Sequence, residues 1–112
     1  MHPSRGDVWY ADLSPVRGHE QDGVRPVLVV SADEMNASAV RMVIVLPLTR
    51  NSYRHPTRIE VIPPEGGIRE PSYALCMQIR AISTNRLDRR LGRVSEQTLE
   101  RVSRPLRALL EL

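Results

Sequence analysis

Gly18–Ser31 reads GHEQDGVRPVLVVS, a polar, glycine-bounded loop that runs without a break into a short apolar stretch, Pro26–Val30. That stretch is too short for a helix and apolar at both alternating positions, which predicts a strand buried on both faces and ended by Ser31. Toward the N-terminus, Val8–Ala11 is rich in strand formers and stops at Ser14 and Pro15, so a first strand is expected over about residues 7–13. Toward the C-terminus, Ser31 and Glu34 have the spacing of a capping box for one helical turn, followed by a third strand over Val40–Leu48 with Pro47 at an edge or bulge. Asn51–Pro56 has loop composition, and Thr57–Ile62 alternates like a half-buried strand that Pro63, Pro64, Gly66 and Gly67 terminate. A further strand is predicted over Tyr73–Arg80, then a turn capped by Ser83 and a short strand near Leu91–Val94. Leu99, Val102, Leu106, Leu109 and Leu110 recur at helical spacing behind Ser95 as N-cap, with Glu96 in the first turn and Pro105 expected to kink or split the helix. Several short strands and one terminal helix, with no strand–helix alternation, predict a mainly β fold with short helices: a small antiparallel β-barrel plus a C-terminal helix.

The chain has 112 residues, enough for one domain over 1–112 that buries roughly two-thirds of its unfolded surface without disulfides or metal. With 41% apolar and 26% charged residues it is globular in composition, and no apolar run approaches the roughly 20 residues of a spanning helix. The N-terminus lacks the apolar core of a secretory signal, and Cys76 is the single cysteine, so a cytoplasmic, reducing environment is expected. All 16 basic residues are arginines, which excludes Schiff-base lysine chemistry and a P-loop lysine. The formal net charge is only +3, but the arginines are unevenly placed: Arg41, Arg50, Arg54 and Arg58 have no acid among them, and a second arginine-rich stretch spans 80–107. Arginine is well suited to bidentate phosphate contact, so these clusters fit an RNA or DNA partner as well as an ordinary solvated surface.

His2, His19, His55 and Cys76 are dispersed without metal-ligand spacing, and no GxSxG, HExxH or glycine-rich phosphate motif is present. What remains is the Gly18–Pro26 loop, which places Glu20, Gln21 and Arg25 at the mouth of a buried strand. An arginine so anchored fits fixed phosphate recognition, although from spacing alone a structural Glu20–Arg25 ion pair is the favoured reading. Trp9 and Tyr10, adjacent on a strand, face opposite sides, so at most one is available for base stacking and Trp9 is assigned to the core. His55 sits in the basic loop of Arg50, Arg54 and Arg58, as an RNA contact or a merely solvated group, and Cys76 and Met77 are assigned to packing.

Arg5–Ser31, RGDVWYADLSPVRGHEQDGVRPVLVVS, closely resembles the opening of the MazF/PemK family of toxin endoribonucleases. VIVLPLT, Val43–Thr49, is similar to the family's third strand and terminal threonine, and MQIRAIS, Met77–Ser83, to a later segment, so the resemblance covers nearly the whole chain. It implies an SH3-like barrel that forms a homodimer, cleaves single-stranded RNA at short sequences without metal or other cofactor, and is inhibited by a cognate antitoxin. Carried over residue by residue, it implies Arg25 and Thr49 as catalytic, Glu20 as the acidic residue of the first loop, and Gln21 and Gln78 as further matching positions. His19 stands where many relatives have serine.

The implied chemistry is attack of the RNA 2'-hydroxyl on its adjacent phosphorus, with loss of the 5'-oxygen to leave 2',3'-cyclic phosphate and 5'-hydroxyl ends. Such a reaction needs a base, charge stabilisation at the phosphorane and a proton for the leaving oxygen. Arg25 suits the second task, Thr49 can orient a phosphate oxygen, and Glu20 is the obvious carboxylate for proton removal. His19, Gln21, Arg50, Arg54, His55, Arg58 and Gln78 are the expected RNA contacts. The acidic, flexible tail of an antitoxin would be drawn to the same positive surface. Two rivals are a gyrase-poisoning toxin of the CcdB type, against which the Leu109–Leu112 ending speaks, and a catalytically dead barrel that only binds nucleic acid.

Overall fold

The computed structural model describes residues 2–15, 18 and 23–112. Its elements are β1 (Asp7–Asp12), β2 (Val24–Val29), α1 (Asp33–Asn36), β3 (Met42–Thr49), β4 (Arg58–Val61), β5 (Ser72–Leu75), β6 (Arg80–Ser83), β7 (Leu87–Arg93) and α2 (Glu96–Leu110). The strands pair antiparallel in the order β4-β5-β3-β2-β1-β7, and β6 pairs with β3. The fold is thus mainly β with short helices and a C-terminal helix, as predicted. Barrel closure is not part of the pairing: β4 and β7 are the two ends of an open path among the described residues.

β2 is buried on both faces, and its alternation divides the core in two. Leu28, with Val30 just beyond the strand, joins Val8, Leu46, Leu48, Leu99 and Val102 on the α2 side. Val27 and Val29 join Ala11, Leu13, Val43, Val45 and Ile82 on the other. Each such valine or leucine contributes about 1.5–3 kcal/mol on burial. α2 starts where Ser95 Oγ accepts the Thr98 N–H at 3.1 Å, the predicted cap. It then runs through Pro105 as one helix, so the split half of that expectation fails. Cys76 is buried among the α2-side apolar groups, and burial pushes its thiol up to about 11, so it packs and does not react.

Four local expectations are corrected. The strand predicted over Tyr73–Arg80 is two strands, β5 and β6, separated by a 3-10 turn at Cys76–Gln78 that turns Met77 out to solvent. Ser31 does not cap α1. Its hydroxyl accepts the Ile44 N–H at 3.0 Å and donates to Asn36, and Ala32 stands at the N-cap without a side-chain bond. The short strand near Leu91–Val94 is the longer β7. Pro47 lies inside β3, neither at an edge nor at a bulge. The Val30 N–H donates to Ile44 O at 2.9 Å, so alternation turns Leu46 toward β2 and Pro47 toward the other side. There the β6 pairing has ended at Val45 and the β5 pairing begins only at Leu48, so the missing N–H breaks no ladder bond.

Candidate nucleic-acid cleft

The site begins with Pro26. The β2–β3 register pairs Leu28 with Leu46 and Val27 with Pro47, and continued two residues further it would set Arg25 across from Thr49. Alternation would require the Pro26 N–H to bond toward Leu48, and proline has none. The ladder therefore ends at Val27–Pro47, while β2 goes on pairing with β1 through Arg25–Ala11 and β3 with β5 through Thr49–Tyr73. Two strands that keep their outer partners and lose each other leave a gap. It opens into a cleft of about 680 Å³ whose lining includes Val24, Arg25, Pro26, Leu48, Thr49 and Arg50.

Thr49 is almost wholly buried, and its Oγ1 accepts the Asn51 N–H at 3.2 Å, which fixes the hydroxyl at the cleft wall. Arg25 is half-buried on β2. The charged lining is Arg25, Arg50, Arg69, Arg89 and Arg90 against Glu70, which forms an ion pair with Arg50. A concave, strongly cationic surface of this kind concentrates anions and suits a phosphodiester backbone. The floor comes from a backbone contact: a Cβ on Gly67 would lie 2.0 Å from Leu91 O, and one on Gly92 2.6 Å from Gly67 N. Only glycine lets the 3-10 turn at Glu65–Gly67 press against β7 there.

Residues 4–110 match the family described as PemK-like, MazF-like toxin of type II toxin-antitoxin system. The chain belongs to this toxin family. Relatives include endoribonuclease MazF9 of Mycobacterium tuberculosis, 37% identical over 113 residues with 96% of each chain covered. Endoribonuclease EndoA of Bacillus subtilis is also 37% identical over 113 residues, covering 100% of this chain and 97% of its own. Among solved structures, MazF from Deinococcus radiodurans superposes with a TM-score of 0.86 at 24% identity, covering 100% of this chain and 99% of that one, a likeness of fold.

Of the expected site residues, Arg25 and Thr49 from the family resemblance and Arg50 from the basic cluster come together in the cleft. His19, Glu20 and Gln21 lie outside the described residues. The ends of their loop are tied, with the Leu13 N–H donating to Gly23 O at 3.0 Å and the Gly23 N–H to Ser14 Oγ at 3.2 Å. Arg86 and Arg80 grip the same ends, Arg86 bonding Asp12 O at 3.0 Å and Arg80 Leu13 O at 3.5 Å. Part of the 80–107 arginine cluster is therefore structural.

Arg54, His55 and Arg58 line a separate hollow of about 400 Å³ with Pro56, Glu60 and Tyr73. The Arg58 guanidinium lies 5.4 Å from the Tyr53 ring and 5.7 Å from the Tyr73 ring, and its Nη2 donates to Asn51 O at 2.6 Å. The Thr57 N–H donates to His55 Nδ1 at 3.2 Å, which in the neutral ring leaves the proton on Nε2. Gln78 sits in the Cys76–Gln78 turn and lines neither space. Sequence reasoning missed Arg69, Glu70, Ser72, Arg89 and Arg90 in the cleft. The only signal was the arginine density of the 80–107 stretch, which does not distinguish Arg90 in the wall from Arg86 in the scaffold. Tyr10 lines the cleft and Trp9 packs on the opposite core, as strand alternation predicts.

Proposed function

We propose that this toxin-family member is a sequence-specific, ribosome-independent endoribonuclease that cuts single-stranded RNA without metal, leaving 2',3'-cyclic phosphate and 5'-hydroxyl ends. The observation that carries the reading is the gap between β2 and β3, where an arginine and a threonine hydroxyl share one cationic cleft. A scissile phosphate seated there receives the Arg25 guanidinium, which stays protonated and offsets the charge gained as the 2'-oxygen adds to phosphorus. Thr49 Oγ1 donates to a non-bridging oxygen and fixes the in-line geometry. Glu20 removes the 2'-hydroxyl proton as the new P–O bond forms; the P–O5' bond then breaks and the 5'-oxygen takes up a proton. Gln21, His19, Arg50, Arg54, His55, Arg58 and Gln78 contact the RNA on either side. The names of the 37%-identical relatives, both endoribonucleases, support the activity.

The chain acts as a single unit over 1–112, closes as an SH3-like barrel, works as a homodimer in the cytoplasm, and is blocked by the acidic, flexible tail of a cognate antitoxin occupying the RNA cleft. Family membership in a toxin-antitoxin system supports that partner. Incubation of pure protein with long mixed-sequence RNA in excess chelator tests the activity. Cuts at a short recurring sequence with cyclic-phosphate and 5'-hydroxyl ends are expected. Intact RNA, or 5'-phosphate ends, would overturn the reading.

A further inference from the structure

The hollow beside β4 lies on the same face of the sheet as Thr49. Leu48, Ala74 and Ile59 pair in a row across β3, β5 and β4, and all three lie in or against the α2-side core. Side chains alternate along a strand, so the next row, Thr49, Tyr73 and Glu60, projects from the opposite face. Thr49 ends that row in the cleft and Glu60 ends it in the hollow, two strands and roughly 10 Å apart. An RNA strand with a phosphate at Thr49 therefore has a neighbouring base within reach of Glu60.

Glu60 is a half-buried carboxylate that the fold leaves open. Arg54 and Arg58 line the same hollow, yet Glu60 forms no ion pair among the described residues. The Tyr73 hydroxyl donates to its Oε2 at a long 3.4 Å, and Arg101 bonds its backbone oxygen, not its carboxylate. A carboxylate accepts at several lone-pair sites and donates at none, so most of its capacity is left for whatever enters the hollow.

An aromatic face stands beside it. His55 Nδ1 accepts the Thr57 N–H at 3.2 Å and lies 2.8 Å from Thr57 Oγ1, contacts that stop the ring from turning. The Tyr53 ring backs it, with centroids 6.4 Å apart and planes inclined by 20°. Arg58, between Tyr53 and Tyr73, ties this loop to β5. A fixed ring next to an acceptor-only edge, around about 400 Å³ of space, suits a planar heterocycle with donors on its rim.

We propose that the hollow binds one unpaired base of the RNA beside the cut, stacked on His55, and that Glu60 reads it as guanine. The Watson–Crick edge of guanine alone presents two adjacent donors, N1–H and N2–H, which match the two oxygens of one carboxylate. Adenine, cytosine and uracil each set an acceptor beside their donor, and a carboxylate repels it. The inference rests on the ribonuclease reading and adds to it the residue that sets one base of the cut sequence.

Binding without cleavage keeps the two apart. A random pool of short, fully 2'-O-methylated RNA, which lacks the attacking hydroxyl, is selected on the full-length protein and sequenced. Wild type should enrich guanine at one position of the selected motif, and Glu60→Gln should lose that enrichment while the other positions keep theirs. In the best selected RNA, inosine in place of that guanine removes the N2 amino group and should weaken wild-type binding about tenfold, whereas 7-deazaguanine should bind as guanine does. Glu60→Gln should bind the guanine and inosine forms alike. His55→Ala should weaken every form by a similar factor, since stacking is blind to the edge. The same motif from both proteins would overturn the proposal, as would loss of enrichment at every position of the motif in Glu60→Gln. Should Glu60→Gln not fold, equal wild-type affinity for guanine and inosine would overturn it. Wild-type protein that selects guanine but cuts no RNA would sink the ribonuclease reading alone, and one that cuts with no guanine preference near the cut would sink this inference alone.

Discussion

Two basic hollows among the described residues, each with one carboxylate among its arginines, differ in organisation. In the cleft between β2 and β3, Arg25 stands on a strand that Pro26 releases from its neighbour, and Arg50 pairs with Glu70 at the surface. In the hollow by β4 and β5, Arg58 lies between two tyrosine rings and gives Nη2 to Asn51 O, while its Nε is buried without a hydrogen-bond partner among the described residues. Charge density does not separate them. What separates them is that the cleft opens where the β2–β3 ladder ends, whereas Arg58 in the hollow is packed on rings and bonded to backbone.

Arg25→Ala should show the largest effect, on the order of a hundredfold or more in turnover, with folding intact, because it removes a charge aimed at the transition state. Single-turnover cleavage with a thermal melt alongside checks both halves. Arg58→Ala should reverse that pattern. The loss of two ring contacts and of the bond to Asn51 O is expected to lower stability by about 1–2 kcal/mol in a urea titration, with turnover per folded molecule changed only several-fold. Glu70→Gln frees Arg50 in the cleft. As a surface pair it should alter stability by less than about 1 kcal/mol and tighten RNA binding modestly at low salt, a gain that added salt removes.

The smallest effect expected is that of Glu65, which accepts from Ser95 N at 2.7 Å and from Ser95 Oγ at 3.0 Å and so ties the Glu65–Gly67 turn to the start of α2. Partial burial pushes its pKa up, but the Thr98 and Ser95 hydrogen bonds and the Arg101 charge outweigh burial and bring it below the ordinary 4.5. A lowered carboxylate pKa contributes stability above the unfolded value that is lost as pH falls through the folded one. Urea midpoints measured from neutral pH downward should therefore decline more steeply below about pH 4.5 in the wild type than in Glu65→Gln.

The strands were legible where apolar periodicity was strong. Pro26–Val30 announced a doubly buried strand, and Leu99, Val102 and Leu106 announced α2, because burial on one or two faces leaves a pattern in the chain itself. β5 and β6 merged in the sequence because a 3-10 turn of Cys76, Met77 and Gln78 is as apolar as the strands it separates. Pro47 read as an irregularity because the gap between its two partner strands exists only in the assembled sheet. Arg25 and Thr49 were named through resemblance. Their sharing of a cleft follows from a register that only pairing reveals. Arg89 and Arg90 were marked only by the arginine density of the 80–107 stretch, because their place beside the cleft follows from the pairing of β7 with β1.

The most direct test of shared action by Arg25 and Thr49 is a single-turnover cleavage cycle in excess chelator with wild type, Arg25→Ala, Thr49→Ala and the double substitution. If both groups hold one phosphate, the double variant should be about as slow as Arg25→Ala alone. Independent effects that multiply, or an Arg25→Ala protein that folds and cuts at close to the wild-type rate, would contradict it.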